Sequence, residues 1–257
     1  TSSGSPIGTN TKVNDAEKSL KYIEYLDAAY FENGDHIITW IDYRNDNLGD
    51  VYIQKYSSDG QKIGQNIKVN DDGRSDIDQN SPHIRSINSN NFAVFWGDQR
   101  LGSVDLGYQL FDDNCEPVGN NRIIEQPIQG VRLSPDVLCV NNGYIMLYSD
   151  YTINWEGDFY IQFFNKSLEP VGDRLLMTDA PRDLRREDAQ FVQIGTDEYA
   201  LTWIEWEDRD LMLFTLSYHI FKYSISKIEP DPYVRFNFIM DVSMWGYSIA
   251  ATSELIV

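Results

Sequence analysis

The feature that most constrains this chain is a pattern that recurs about every 55 residues. An apolar residue followed by glycine opens each copy, and these pairs are Ile7-Gly8, Ile63-Gly64, Val118-Gly119 and Val171-Gly172. The copies stand at intervals of 56, 55 and 53 residues, and Ile228-Glu229 is a weaker copy 57 residues further on. A fixed period of this length is typical of chains built from one small supersecondary unit that is stacked several times. The chain is therefore predicted to be a repeat protein.

A second marker keeps the same period. In each unit an aromatic residue is followed two positions later by an acid, and the pairs are Trp40 and Asp42, Trp96 and Asp98, Tyr148 and Asp150, and Trp203 and Glu205. The stretch from Asp50 to Gln54 also returns, as Asp158 to Gln162. Because each aromatic has apolar neighbours, we expect the series to pack between units rather than to bind a ligand.

Each unit contains short apolar runs that are typical of strands. In the second unit the expected strands are His83–Asn88, Phe92–Trp96, Leu106–Phe111 and Val118–Ile124, separated by turn residues. No segment has a convincing helical period, and the charged residues 182–189 are predicted to be loop. Four antiparallel strands in each unit indicate an all-β fold, a β-propeller of four-stranded antiparallel blades.

The repeats predict a single propeller domain over residues 1–257. The whole units cover about 15–70, 71–125, 126–178 and 179–235, while 1–14 resembles a last strand and 236–257 resembles the first two strands of a unit. We expect 1–14 and 236–257 to share a further blade, which gives five blades and leaves no exposed sheet edge. The alternative is a fragment of a larger ring of six or seven blades.

The motif Trp-x-Asp-x-Arg at residues 40–44 and 96–100 is followed by Asp50-x-Tyr52 and by a Ser-Ser-Asp-Gly turn at 57–60. With these motifs the chain resembles the propeller repeats of secreted bacterial proteins, and it is distantly similar to sialidase-type propellers with Asp-box turns. An Asp-box ends in Trp, whereas this chain has an apolar aliphatic residue such as Ile63 near that place. The resemblance implies a propeller scaffold and a secreted or cell-surface location.

The charge of the chain excludes two classes of partner. With 21 basic and 40 acidic residues the net charge is −19, which repels nucleic-acid phosphates and anionic lipids. No run approaches the roughly 18 apolar residues of a membrane-spanning helix. We therefore expect no nucleic acid partner and no direct membrane insertion.

Candidate ligand-binding residues lie in the loops that follow the second strand of each unit, which we call the entrance loops. Aromatic rings can stack on the C–H faces of sugars, while acids and arginines hydrogen-bond sugar hydroxyls. The predicted ligand-binding residues are Asp42, Tyr43, Arg44, Asp98, Arg100, Tyr151, Trp155 and Trp206. The repeated acids also suit a purely structural role as acceptors of backbone or side-chain hydrogen bonds.

No cofactor is predicted. The oxygen-rich stretch 70–78 offers ligands that calcium prefers, but it lacks the spacing of an EF-hand loop, so calcium is only a lesser alternative. The three histidines lie in separate units without metal-like spacing and are expected to be structural. Cys115 and Cys139 are predicted too far apart for a disulfide, and two cysteines do not fix the redox compartment.

These observations predict a non-catalytic binding or scaffold module whose entrance loops contact a glycan or protein partner. The first alternative is a glycoside hydrolase or sialidase-like enzyme that uses entrance-loop carboxylates. The second is a structural subunit of a surface complex.

Overall fold

The structure is a computed structural model. It describes residues 10–16, 23–45, 48–71, 73, 76–88, 90–102, 104–124, 132–140, 143–150, 157–178, 185–195, 198–208, 213–224, 227–230 and 234–236. These residues form 17 β-strands in four antiparallel sheets, and within them there is no α-helix. The part of the chain that is described therefore has no helix that could cross a membrane.

Each sheet is built from strands that are consecutive in the sequence. The first sheet contains β1 (Ile23–Tyr30), β2 (His36–Asp42), β3 (Asp50–Tyr56) and β4 (Lys62–Lys68). The second contains β5 (Gln79–Asn88), β6 (Asn91–Asp98), β7 (Asp105–Asp112) and β8 (Pro117–Ile124). The third contains β9 (Arg132–Val140), β10 (Gly143–Asp150), β11 (Asp158–Asn165) and β12 (Pro170–Leu176). The fourth contains β13 (Arg185–Gln193), β14 (Glu198–Asp208), β15 (Leu213–Ser224), β16 (Lys227–Pro230) and β17 (Val234–Phe236).

The four sheets are arranged as the blades of a propeller. The first strands of successive sheets contact one another in the order β1, β5, β9, β13, so they are the inner strands around the axis. The fourth strands β4, β8 and β12 are mostly exposed and form the outer edges. The prediction of an all-β propeller with four-stranded antiparallel blades is confirmed.

Apolar cores fill the spaces between neighbouring sheets. Because side chains alternate between the two faces of a strand, each sheet supplies one set of residues to the sheet before it and another to the sheet after it. Ile41 and Val51 of the first sheet thus share a core with Val94 and Trp96 of the second. Two further cores of the same kind join the second sheet to the third and the third to the fourth.

The indole of Trp96 lies against the backbone of Gly107 on the neighbouring strand β7. A Cβ atom built on Gly107 would be 2.6 Å from Trp96 Cε2. We expect Gly107→Ala to lower the free energy of unfolding by roughly 1–3 kcal/mol, because the buried indole must move. Gly64→Ala is the control, since its Cβ would meet nothing within 4 Å and the cost comes only from its positive φ. Equal losses for the two variants in urea denaturation would contradict this account.

The segment before the first sheet contacts it in the way that the connection after the first sheet contacts the second sheet. The backbone N–H of Asp15 donates to Asn66 Oδ1 at 2.7 Å, and the N–H of Asp71 donates to Asn121 Oδ1 at 2.6 Å. The carboxylates of Asp15 and Asp71 pair with Arg44 and Arg100, the arginines of the same two sheets. Residues 13–15 therefore occupy the place that residues 69–71 occupy one sheet later.

The last strand of the fourth sheet lies close to the predicted end of the fourth unit at residue 235. β16 and β17 both pair with β15, so Phe236 ends the outer strand of this sheet. Residues 1–9 and 237–257 lie outside the described residues. The further blade shared by 1–14 and 236–257, and with it the count of five blades, stays a prediction.

The fourth sheet also shows where the expected strands were incomplete. The prediction of loop at 182–189 is wrong for residues 185–189, which begin the inner strand β13. Arg186 is buried there and pairs with two acids of its own and the neighbouring sheet, so its charge does not oppose the strand.

Candidate functional site

Every inner strand has a β-bulge at the same place. In β1 the register with β2 shifts between Glu24 and Asp27, which leaves one extra residue on β1. The same shift falls between Asn80 and His83 in β5, between Leu133 and Asp136 in β9, and between Glu187 and Gln190 in β13. A bulge of this kind re-aims the side chain that follows it and is common next to functional sites.

The residues that follow the four bulges are Asp27, His83, Asp136 and Gln190. Two of the bulges contain a non-glycine residue in the left-handed region, Tyr25 with φ 51° and Ser81 with φ 45°. Backbone strain of this type persists only where surrounding structure holds it, and it concentrates at functional sites. The equivalent positions thus carry different chemistry in each blade, while the backbone repeats.

Three of these residues meet around the guanidinium of Arg85. Arg85 Nη1 donates to Asp27 Oδ2 at 2.6 Å, and Nη2 donates to Asp136 Oδ1. His83 Nδ1 lies 3.3 Å from Asp27 Oδ2 and 3.9 Å from Asp136 Oδ1. We call Asp27, His83, Arg85 and Asp136 the axial cluster.

The axial cluster joins the inner strands of all four sheets. Asp27 accepts a hydrogen bond from the N–H of Ile84 on β5 at 3.0 Å. Asp136 accepts one from the N–H of Phe191 on β13 at 3.3 Å. Between them, Arg85 Nε donates to the carbonyl of Val137 on β9.

The axial cluster is partly exposed. The side chains of Asp27, His83 and Arg85 keep 23–26% of their surface exposed, and that of Asp136 keeps 8%. The cluster thus lines the axis rather than the apolar cores.

The electrostatics of the axial cluster keep Asp27 ionised. Burial raises the pKa of Asp27, but the nearby His83 and the charge of Arg85 outweigh it and lower the pKa from 3.8 to about 2. Burial in turn lowers the pKa of Arg85, and the charges of Asp136 and Asp27 raise it by more. At neutral pH the cluster therefore contains a carboxylate and a guanidinium in contact.

This depressed pKa predicts a specific loss of stability in acid. Since the folded pKa of Asp27 is below its unfolded value, its contribution is complete above about pH 4 and is lost as the pH falls towards 2. The shift corresponds to about 2 kcal/mol at neutral pH. We expect the free energy of unfolding of Asp27→Asn to fall less than that of the wild type between pH 5 and pH 2.5, as measured by urea denaturation. Parallel pH curves for the two proteins would contradict the shift.

The repeated acids that sequence analysis proposed as ligand contacts are buried in the blades. Asp42 and Asp98 have no exposed surface. Each accepts a hydrogen bond from the indole Nε1 of its own tryptophan, Trp40 at 3.1 Å and Trp96 at 2.9 Å. The carboxylates thus have a packing role, and ligand binding by them stays a prediction.

The arginines of the repeat motif form ion pairs with these acids. Arg44 Nη2 donates to Asp42 at 2.7 Å, and the guanidinium stacks on the ring of Tyr52 at 4.1 Å. Arg100 Nε and Nη2 donate hydrogen bonds to the two carboxylate oxygens of Asp98 at 2.8–3.0 Å. Arg44 and Arg100 keep about a fifth of their side-chain surface exposed, so each presents a partly accessible cation.

The third and fourth sheets repeat this arrangement with arginines from other positions. Arg174 on β12 pairs with Asp150 and stacks on the ring of Tyr160 at 3.9 Å. Arg186 on β13 pairs with Glu205. An arginine therefore neutralises the repeated acid in every described sheet, although only the first two follow the sequence motif.

The remaining predicted ligand contacts are not brought together with the axial cluster. The hydroxyl of Tyr43, a buried residue, donates to Glu24 Oε2 at 2.7 Å. Trp206 lies in β14 opposite Arg185 and is partly buried. Tyr151 and Trp155 lie outside the described residues.

No metal-binding group is present among the residues that the structure describes, where three or more His, Cys, Asp or Glu side chains would have to converge. In the acidic stretch 70–78 the side chain of Asn70 is engaged by the N–H of Val51 and by Asp50. Cys115 and Cys139 are both free thiols, and burial raises the pKa of each to about 11. His36 stacks on Tyr56, as expected for a structural histidine.

Sequence analysis did not identify the axial cluster, although one signal pointed to it. Ser81-Pro82-His83 and Ser134-Pro135-Asp136 stand 53 residues apart, in phase with the other repeats. The first two residues of this tripeptide are the same in both units while the third changes, as expected for a bulge that presents a variable side chain.

Comparison of the sequence with known proteins gives no match to a family model and none to a curated protein. Comparison of the structure gives several solved structures with the same fold. An α-L-arabinanase from Penicillium chrysogenum, in complex with arabinobiose, has a TM-score of 0.59 at 15% identity over 81% of this chain and 65% of its own.

Two further structures resemble the chain to the same degree. An α-L-arabinofuranosidase from Fusarium graminearum, in complex with an iminosugar inhibitor, has a TM-score of 0.57 at 12% identity, with 81% of this chain and 65% of its own covered. An endo-arabinase from Bacteroides thetaiotaomicron has a TM-score of 0.57 at 12% identity over 91% of this chain and 85% of its own. The chain thus spans 65% of the Penicillium and Fusarium enzymes.

At these identities the comparisons establish the shared propeller fold. They also correct the expectation of a non-catalytic binding or scaffold module, because the proteins that share the fold are named as glycoside-cleaving enzymes.

Proposed function

We propose that this propeller is a glycoside hydrolase that acts on arabinose-containing glycans, with the axial cluster as its reaction centre. The observation that carries the proposal is the meeting of Asp27, His83 and Asp136 at equivalent bulges of three inner strands. These residues break the symmetry of an otherwise repeated scaffold, and catalysis needs such asymmetry.

The chemistry of the cluster suits hydrolysis of a glycosidic bond. That reaction uses two acidic side chains on either side of the bond, one as base or nucleophile and one as proton donor. Asp27, with a pKa of about 2, is ionised at neutral pH and suits the base or nucleophile. His83 and Asp136 are the two groups of the cluster that could protonate the departing oxygen.

The proteins that share the fold support the proposed substrate class. Two of them are arabinanases and one is an arabinofuranosidase, and the Penicillium enzyme is described with arabinobiose bound. The cationic guanidinium of Arg85 and the partly exposed carboxylates offer hydrogen-bond partners for sugar hydroxyls. A glycan is thus the proposed partner.

An extracellular location accompanies this proposal. The resemblance of the Trp-x-Asp-x-Arg repeats to those of secreted bacterial proteins supports it, and polymeric glycans are met outside the cell. Sialic acid is a weaker candidate, since a sialidase needs an arginine cluster for the substrate carboxylate and Arg44 and Arg100 are each closed onto an acid of their own blade.

The test is release of reducing sugar from arabinan, and of nitrophenol from 4-nitrophenyl α-L-arabinofuranoside, by the full chain. We expect Asp27→Asn to lower turnover by roughly 10²–10⁴-fold. Asp173→Asn is the matched control, because Asp173 is an exposed acid on the outer strand β12. Separate His83→Asn and Asp136→Asn variants then show which group acts as the proton donor, since its loss removes the alkaline limb of the pH profile.

Because Asp27 also holds inner strands together, a second readout separates chemistry from stability. Azide added to Asp27→Ala can attack the sugar in place of activated water, and the product is a glycosyl azide. A variant that is merely unstable would not regain turnover in this way. Wild-type protein that cleaves neither substrate, or an Asp27→Asn variant with full turnover, would overturn the proposal.

A further inference from the structure

Two groups of the axial cluster, His83 and Asp136, could protonate a departing oxygen, and their surroundings differ. The Asp136 side chain is 8% exposed, and both of its oxygens already accept hydrogen bonds. Oδ1 accepts from the N–H of Val137 at 2.8 Å and from Arg85 Nη2, and Oδ2 accepts from the N–H of Phe191 at 3.3 Å. A proton on either oxygen would point against one of these donors. Asp136 is therefore poorly placed to carry a proton to a substrate.

The imidazole of His83 has the opposite arrangement. Its Nδ1 atom is buried and faces two carboxylates, Asp27 Oδ2 at 3.3 Å and Asp136 Oδ1 at 3.9 Å. The side chain as a whole is nevertheless 26% exposed. In an imidazole ring the bond that lies opposite Nδ1 joins Cδ2 to Nε2. The exposed side of the ring is therefore the side that carries Nε2.

The neighbouring charges determine which ring nitrogen holds the proton of a neutral imidazole. A hydrogen-bond acceptor beside one nitrogen places the proton there and leaves the other nitrogen unprotonated. Asp27 on β1 and Asp136 on β9 both face Nδ1. Arg85, on the same strand as His83, donates to both carboxylates and so fixes their positions. Nε2 is then the nitrogen that gains and loses a proton on the exposed side.

The backbone on both sides of His83 holds the ring in this orientation. Ser81, two residues earlier, is buried and has a φ of 45°, in the left-handed region. The bulge that contains Ser81 turns the side chain of His83 towards the axis. The N–H of Ile84, directly after His83, donates to Asp27 Oδ2 at 3.0 Å. The imidazole thus stands on a rigid inner strand and not on a loop.

We infer that His83 in its protonated form is the proton donor of the axial cluster and acts through Nε2, an inference that rests on the proposed hydrolase function. As the bond between the anomeric carbon and the glycosidic oxygen breaks, its electron pair stays on that oxygen, which takes the proton from Nε2. Water adds to the anomeric carbon and gives one proton to Asp27. The His83 ring is left neutral with its proton on Nδ1, and exchange with solvent restores both groups. Asp136 is a positioning residue.

The test compares two substrates that differ in their need for a proton donor. Nitrophenolate leaves without protonation, whereas the sugar hydroxyl released from arabinan must be protonated. We expect His83→Asn to lower turnover of arabinan by roughly 10²–10⁴-fold, and that of 4-nitrophenyl α-L-arabinofuranoside by less than about tenfold. Asp136→Asn should lower both turnovers by similar factors. His36→Asn is the matched control and should change neither, because His36 stacks on Tyr56 within the first sheet.

Nitrogen-15 NMR of the histidine rings gives a readout that needs no turnover. The signals of His83 are identified by their loss in His83→Asn. We expect the neutral ring to carry its proton mainly on Nδ1, and Asp136→Asn to increase the share of the form protonated on Nε2. A neutral wild-type ring that is protonated mainly on Nε2 would overturn the inference.

The kinetic outcomes separate this inference from the proposed function. Suppose that the wild type cleaves both substrates. Equal losses on both for His83→Asn, or a loss confined to arabinan for Asp136→Asn, would then show that His83 is not the proton donor, while the hydrolase function stands. A wild type that cleaves neither substrate would overturn the hydrolase function and the role of His83 with it.

Discussion

Replacing Arg186 by methionine is expected to lower the free energy of unfolding by about 3–5 kcal/mol, one of the two largest stability effects predicted for this protein. Arg186 is 1% exposed, and its Nε donates to Glu205 Oε1 at 3.1 Å while Nη1 donates to Asp158 Oδ1 at 3.2 Å. Methionine fills similar space but leaves both carboxylates without their cation. A loss of this size corresponds to a fall in Tm of roughly 6–20 °C.

The measurement is guanidinium chloride denaturation followed by tryptophan fluorescence. The double variant Arg186→Met/Glu205→Met is the control, because it removes a buried charge of each sign and replaces the pair with apolar contacts. We expect it to be clearly more stable than Arg186→Met alone. A loss below about 1 kcal/mol for Arg186→Met would mean that the pair is solvated in solution, contrary to its burial in the structure.

The second large effect is expected at the axial cluster, where Arg85→Met removes the guanidinium that donates to both carboxylates. Asp27 and Asp136 then face each other without the guanidinium that both now accept from. We expect a loss of about 3–5 kcal/mol at pH 7. The loss should shrink towards pH 3, because protonation of a carboxylate removes the unpaired charge in the variant while it weakens the ion pair in the wild type.

This prediction is checked by urea denaturation of both proteins at pH 7, 5 and 3. Arg85→Lys is the matched variant, since it keeps the charge but cannot donate to both carboxylates with the planar geometry of arginine, and an intermediate loss is expected. In the glycosidase assay Arg85→Lys should also shift the acid limb of the pH profile upward, because a less depressed pKa of Asp27 leaves less of the ionised form in acid. A pH-independent difference between wild type and Arg85→Met would contradict the role assigned to the ion pairs.

The repeat pattern was sufficient to predict the fold because it reports the packing between sheets. Trp40, Trp96, Tyr148 and Trp203 are all buried, and Trp96 and Trp203 lie in cores shared by neighbouring sheets, as expected for an aromatic series that packs between units. The strands expected in the second unit agree with β5–β8 to within a few residues at each end. Large apolar side chains in phase leave few alternatives to identical sheets around one axis.

The candidate site was harder to predict because it depends on contacts that have no period. Asp27 and Arg85 are 58 residues apart, and only the curvature of the ring brings them within hydrogen-bonding distance. The repeated acids Asp42 and Asp98 were predicted to bind a ligand. In the structure each is neutralised by an arginine of its own blade. The strand at 185–189 could not be predicted either, since the partners that allow Arg186 to be buried lie far away in the sequence.

The bulge in each inner strand has a consequence for how such a protein can change. It gives every blade a single position whose side chain is turned towards the common axis, while the neighbouring residues remain committed to the cores. Exchanging the amino acid at that position alters the side chains around the axis without altering the pairing of any strand. A gene that arose by duplication of whole units therefore encodes one variable position in each blade. Selection can change the amino acid at these positions in one blade at a time.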